Sequence, residues 1–185
     1  RDSYGNLFVD VLTESKETSR VMFTSHVDIV GMPNDPVEQQ VHYDHTAKRL
    51  FKNDGLTLGA DDGVGVYIMM HMIDNGVPGY YAFFKDEETG RKGSQKAVVP
   101  SLSFDYCISF DRGYETDIIT FQSPGRGCSE AFAEALSKQF DGKLKPNPNG
   151  VFTDSASFFK VVPECTNISV GYYSQHGGNE TQCTA

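Results

Sequence analysis

Tyr80-Tyr81-Ala82-Phe83-Phe84 is an unbroken apolar and aromatic run, closed by Lys85. An extended segment with no polar alternation cannot leave one face in water, so it reads as a strand covered on both faces. Strands of that kind belong to parallel sheets with helices packed against them. The run opens onto Asp86-Glu87-Glu88, and similar pairings recur along the chain. His26-Val27-Asp28 follows Arg20 to Ser25, and Asp111 follows Phe104 to Phe110. His176 lies beyond Thr166 to Val170, and Asp61-Asp62 precedes the apolar run Tyr67-Ile68-Met69-Met70. Strand ends on one sheet can bring such clusters together into a metal site built from loops.

The remaining pattern supplies the other elements. Strands are expected at Asn6 to Leu12, Arg20 to Ser25, Tyr80 to Lys85, Phe104 to Phe110, Thr116 to Phe121 and Thr166 to Val170. A hairpin ribbon is expected around Val41-His42-Tyr43 and Arg49-Leu50-Phe51, inside a polar stretch broken by Pro33 and Pro36. Helices are expected at Val64 to Ile73, stopped by Asn75-Gly76 and Pro78, and at Gly93 to Val99, ending at Pro100. A third, Cys128 to Phe140, places Phe132, Ala135, Leu136 and Phe140 on one side. Lys143 to Pro148 reads as a loop, and Ser155 to Phe159 as a helical turn. The whole implies an α/β fold: a three-layer arrangement with a mostly parallel central sheet flanked by helices. Its ligands would lie beyond the strand carboxyl ends.

At 185 residues, with 38% hydrophobic and 12% aromatic content, the chain can bury one sizeable core, and one domain is expected over residues 1–185. The net charge of −9 argues against nucleic acid or an anionic membrane as a partner, since those ligands require basic surface. No apolar stretch is long enough for a membrane span. Cys107, Cys128, Cys165 and Cys183 show no C-x-x-C spacing, which suits reduced thiols and a cytoplasmic setting. The sequons at Asn167 and Asn179 carry little weight, because such triplets arise by chance.

Each cluster taken singly has a bland explanation. His26-Val27-Asp28 can be a surface turn, Asp61-Asp62 a helix cap, Glu87-Glu88 a solvated face, Asp111 an ion-paired turn acid and His176 a loop residue. Their order makes five coincidences implausible. TSHVDIVG, LGADDGVGV, KDEETG, SFDRG and ISVGYYSQH, together with the FTDSASF stretch, resemble the successive motifs of the co-catalytic di-zinc exopeptidases. That superfamily includes aminopeptidases, carboxypeptidases, peptidase T-like enzymes and related amidohydrolases, and the resemblance covers nearly the whole chain.

The resemblance implies a zinc-exopeptidase catalytic domain that hydrolyses peptide bonds with water activated by two Zn2+, for which Co2+ or Mn2+ could substitute. His26 and Asp111 would hold one ion, Glu88 and His176 the other, and Asp61 would bridge them. Asp28 would accept a hydrogen bond from His26 and fix its tautomer. Glu87 would be the general base. It also implies a cis peptide after Asp61.

Departures from the family pattern are Gly63 where lysine is common, no room for an inserted lid domain after Asp111, and terminal helices that are expected to be lacking. The absent lid favours an aminopeptidase acting on a peptide or small amide, with Asp154 and Glu115 as candidate partners of the substrate ammonium. A deacylase or carboxypeptidase on the same scaffold, a glutaminyl-cyclase-like transferase and a non-catalytic metal-binding module are the alternatives. The two histidines favour zinc over calcium, which takes oxygen ligands.

Overall fold

The computed structural model describes residues 1–31, 40–99, 104–123 and 125–184. Its elements in chain order are β1 (Leu7–Val11), β2 (Val21–His26), β3 (His42–Asp44), β4 (Arg49–Phe51), α1 (Ala60–Asp74), β5 (Gly79–Phe84), α2 (Lys92–Lys96) and β6 (Tyr106–Arg112). There follow β7 (Asp117–Ile119), β8 (Phe121–Gln122), β9 (Gly125–Arg126), α3 (Glu130–Gln139), β10 (Lys145–Asn147), a 3-10 turn at Asp154–Phe158, β11 (Glu164–Ser169), β12 (Tyr172–Tyr173) and β13 (Thr181–Cys183). The stretch around Pro33 and Pro36, and the expected helix stop at Pro100, lie outside the described residues.

Alternation of side chains along the strands divides the core in two. Met22, Tyr80, Ala82, Phe84, Cys107 and Cys165 point to one face of the sheet. Phe23, Tyr81, Phe83, Ile108, Phe110 and Ile168 point to the other. Every residue of β5 is buried, as its aromatic run requires. The seven strands lie in the order β1-β5-β2-β6-β11-β7-β10. From β5 through β2 and β6 to β11 all neighbours are parallel. The β1/β5 and β11/β7 pairs are antiparallel. A second sheet, β12-β13-β4-β3, contains the expected ribbon.

The covering layers are unequal. Met69 of α1 and Ala133 of α3 pack on one face, joined by Val66, Met72, Ile73, Phe132 and Leu136. The opposite face is closed by Phe158 and Val162, with Ala97, Val99 and Phe159 packed against them, so only the expected short helix and helical turn cover this side of the sheet. What the structure shows is a mixed α/β fold with few helices. The helix α3 buries Ala133 and half-buries Phe132 and Leu136, while Ala135 and Phe140 are exposed, because packing selects a stripe one residue away from the expected one. The expected loop Lys143 to Pro148 instead contains the edge strand β10; Pro146 is tolerated there because an edge strand needs to donate on one side only. Thr116 to Phe121 splits into β7 and β8.

Gly65 fixes how closely α1 approaches β6. A Cβ at this position would sit 2.3 Å from the Phe110 carbonyl oxygen and 2.4 Å from Asp62 Oδ1. Gly65→Ala is therefore expected to cost at least about 2 kcal/mol, as overpacking against backbone does. That is a fall of roughly 4–8 °C in melting temperature for a domain of this size. An alanine variant that melts with the parent would show that α1 can move away freely.

Candidate metal centre

The parallel block β5-β2-β6-β11 brings its carboxyl ends to one edge, and the candidate ligands collect there. His26 is the last residue of β2 and is 1% exposed. Asp111 lies within β6, which ends two residues further on than expected. Glu87 and Glu88 come three and four residues after the end of β5. Asp61 is joined to Asp62 by the expected cis peptide bond, ahead of the regular part of α1. His176 comes from the turn between β12 and β13, with a left-handed φ of 66°.

All five expected ligands meet. His26 Nε2 is 3.1 Å from Asp61 Oδ1 and 3.7 Å from Asp111 Oδ1. His176 Nε2 is 3.0 Å from Asp61 Oδ2 and 2.7 Å from Glu88 Oε1. The two Asp61 oxygens thus face different histidines, each accompanied by a different carboxylate. The cleft above them encloses about 380 Å³ and is also lined by Glu87, Tyr114, Gln122, Phe152 and Tyr172.

The adjacent acids Asp61 and Asp62 divide the two roles that either could fill. Asp62 is fully buried; its Oδ1 accepts from Gly65 N–H at 3.2 Å, the contact of a helix cap. Its Oδ2 accepts from the Ser25 hydroxyl at 2.5 Å and from His26 N–H at 3.2 Å, tying α1 to the end of β2. That leaves Asp61 facing the cleft. Asp111 is steadied by residues for which the motifs implied no role: Thr153 and Tyr172 donate to its carboxylate, and Asn167 holds its backbone on both sides. Asn167 is accordingly a buried strand residue.

Asp28 requires a correction. The ring Nδ1 of His26 is 2.9 Å from the Asp28 backbone carbonyl, whereas the carboxylate is 3.7 Å away. That carboxylate accepts instead from the backbone N–H groups of Glu87 and Glu88, each at 3.1 Å. The tautomer of His26 is still set, since a carbonyl can only accept, but the side chain of Asp28 positions the glutamate pair. Asp154 also differs from expectation. It is 1% exposed, does not line the cleft, and neither carboxylate oxygen has a hydrogen-bond partner. The Ser94 hydroxyl beside it is engaged by Ser157 at 2.9 Å and by the Arg91 carbonyl. Glu115 is exposed, outside the cleft lining, and accepts from the Tyr173 hydroxyl. Neither acid is placed to receive a substrate ammonium from the cleft.

The electrostatics call for positive charge at this point. Burial pushes the Glu87 carboxyl up to about 9 and Asp154 to about 7, with neighbouring carboxylates adding to the rise. Asp61 and Glu88 are raised as well, again chiefly by burial. Burial opposes a charged His26, yet Asp111 and Asp61 hold its imidazole well above the ordinary value of 6.5. Glu88 Oε1 is buried, with His176 Nε2 2.7 Å away. The groups His26-Asp61-Glu88 and His26-Asp62-Asp111 each bring three ligand atoms within 4.8 Å of one another. Because the Asp62 oxygens are already committed to Ser25, His26 and Gly65, Asp61 is the carboxylate free for a cation. Imidazoles and carboxylates together form a donor set that fits zinc and its divalent neighbours.

No family model matches this sequence, and no curated protein does. Solved structures do. The aminopeptidase PepT from Bacillus cereus superposes with a TM-score of 0.77 at 13% identity, covering 96% of this chain and 79% of that one. The chain has the fold of a peptidase. A tripeptidase from Staphylococcus aureus gives 0.71 at 12% identity, over 96% of this chain and 79% of its own. The Pyrococcus horikoshii TET1 peptidase, which can assemble into a tetrahedron or a large octahedral shell, gives 0.71 at 16% identity, over 98% and 83%. Among the described residues no helix is long and apolar enough to cross a membrane.

Proposed function

We propose that residues 1–185 form one catalytic domain of a metal-dependent exopeptidase, an aminopeptidase that cleaves the bond after a free amino-terminal residue. The observation that carries this reading is the convergence of His26, Asp61, Glu88, Asp111 and His176 at the carboxyl ends of parallel strands, with Glu87 lining the same cleft. His26 and Asp111 would hold one zinc ion, Glu88 and His176 a second, with Asp61 shared between them. When bound, the two ions supply Lewis acidity to the scissile carbonyl and lower the pKa of the attacking water.

The chain's own groups do the rest. Glu87 accepts the proton as the water oxygen bonds to the carbonyl carbon, and gives it to the amine nitrogen as the carbon–nitrogen bond breaks. Asp28 keeps Glu87 and Glu88 in register through their backbone N–H groups, so one can face an ion while its neighbour faces the water. The net charge of −9 draws a cationic peptide terminus toward the cleft.

Aminoacyl anilides are expected to be hydrolysed by the zinc- or cobalt-loaded protein at least tenfold faster than their N-acetylated forms or carboxypeptidase substrates. Preference for the N-blocked compounds would replace the aminopeptidase reading by the deacylase or carboxypeptidase one.

A further inference from the structure

Glu180 belongs to no ligand pair, yet it is 2% exposed and spends both carboxylate oxygens on the loop that carries Asp61. Oε1 accepts from Asp61 N–H at 2.9 Å and Oε2 from Gly59 N–H at 2.7 Å. These are donors at the start of α1, where backbone N–H groups have no partner within the helix. Gly59, with φ 80°, occupies the cap position and has no side chain to satisfy them. A carboxylate 119 residues further along the chain from Asp61 does so instead.

Glu180 arrives on the same short turn as His176, four residues earlier, whose Nε2 lies 3.0 Å from Asp61 Oδ2. One turn therefore grips Asp61 at both ends: an imidazole on its carboxylate and a carboxylate on its amide. The turn is itself braced. A Cβ on Gly178 would be 2.4 Å from the Gly55 carbonyl oxygen, and β13 pairs with both β12 and β4. Hydrogen bonds that N–H groups donate to a charged acceptor are about twice as strong as neutral ones, so this hold on the backbone is stiff.

We propose that Glu180 is a positioning residue that sets the Asp61 carboxylate between the two metal positions and links its orientation to the arrival of His176. The proposal rests on the metallopeptidase reading above. Glutamine at this position keeps the shape and one acceptor oxygen, but its amide nitrogen cannot accept from the second N–H.

The test uses Co2+ as probe, on the parent chain, Glu180→Gln, Glu180→Asp and, as an exposed control on α3, Glu134→Gln. Bound cobalt per chain, cobalt affinity, the visible absorption of the loaded protein and the melting of the metal-free protein are measured. The parent and Glu134→Gln are expected to bind two equivalents. Glu180→Gln is expected to bind at least tenfold more weakly with a changed absorption spectrum, to melt within a few degrees of the parent when metal-free, and Glu180→Asp to recover part of the affinity.

Parent-like affinity and spectrum in Glu180→Gln would overturn the proposal while leaving the metallopeptidase reading intact. Failure of both Glu180 variants to fold would also overturn it, by making Glu180 a support of the whole fold. A parent chain that takes up no cobalt would remove the metallopeptidase reading and the proposal with it.

Discussion

Asp61→Ala is expected to empty both metal positions and to lower kcat/KM by at least about 10³-fold, roughly 4 kcal/mol of transition-state stabilisation. The two carboxylate oxygens face His26 and His176 separately, so one substitution reaches both halves of the centre. The backbone bond from Asp61 N–H to Glu180 does not involve the side chain and survives. The Asp62 carboxylate still holds Gly65 N–H, so the start of the regular part of α1 also survives. Elemental analysis of the purified variant, with circular dichroism to show that it is folded, checks the outcome. Two equivalents of zinc in folded Asp61→Ala would mean that Asp61 is not the shared ligand.

Glu87→Gln is expected to keep fold and metal while lowering turnover by at least about 10²-fold, the low end of what a positioned general base contributes. Glutamine preserves the backbone N–H that Asp28 holds, so Glu88 stays in place. A near-normal rate, or loss of metal, would mean that Glu87 and Glu88 exchange roles. The same variant has a signature in the metal-stripped protein. Burial raises the Glu87 carboxyl from 4.5 to about 9, so the folded state binds the proton more tightly than the unfolded chain. The stability linked to that proton is complete below about pH 4.5 and is lost as the pH rises toward 9. Glu87→Gln should flatten that decline in melting temperature between pH 5 and 9.

The division between what the chain announces locally and what folding adds is visible residue by residue. The apolar run at β5 demanded a strand covered on both faces, and all six residues of β5 are buried. The clusters that hold His26, Asp61, Glu88, Asp111 and His176 were legible because each stands beside such a run, and the resemblance to the di-zinc exopeptidases singled out these five residues within them. Local pattern alone did not tell whether Asp61 or Asp62 faces the cleft; the expectation of Asp61 came from the resemblance. Both are acids at a helix start, and only the packing of Ser25 and Gly65 around one of them frees the other.

The identity of the ligand-bearing elements and their order along the chain were properties of the sequence alone, because alternation is encoded in neighbouring residues; their order across the sheet, β5-β2-β6-β11, is not chain order and came from the tertiary structure. Tertiary structure alone decided that the Asp28 carboxylate holds two amides 59 and 60 residues away, that Asn167 holds Asp111 across 56, and that Glu180 reaches Asp61 across 119. It also buried Asp154 outside the cleft lining and made an edge strand of Lys145–Asn147. The physical reason is that a hydrogen bond between distant residues depends on where the sheet places their backbones, and no local pattern of polarity records that.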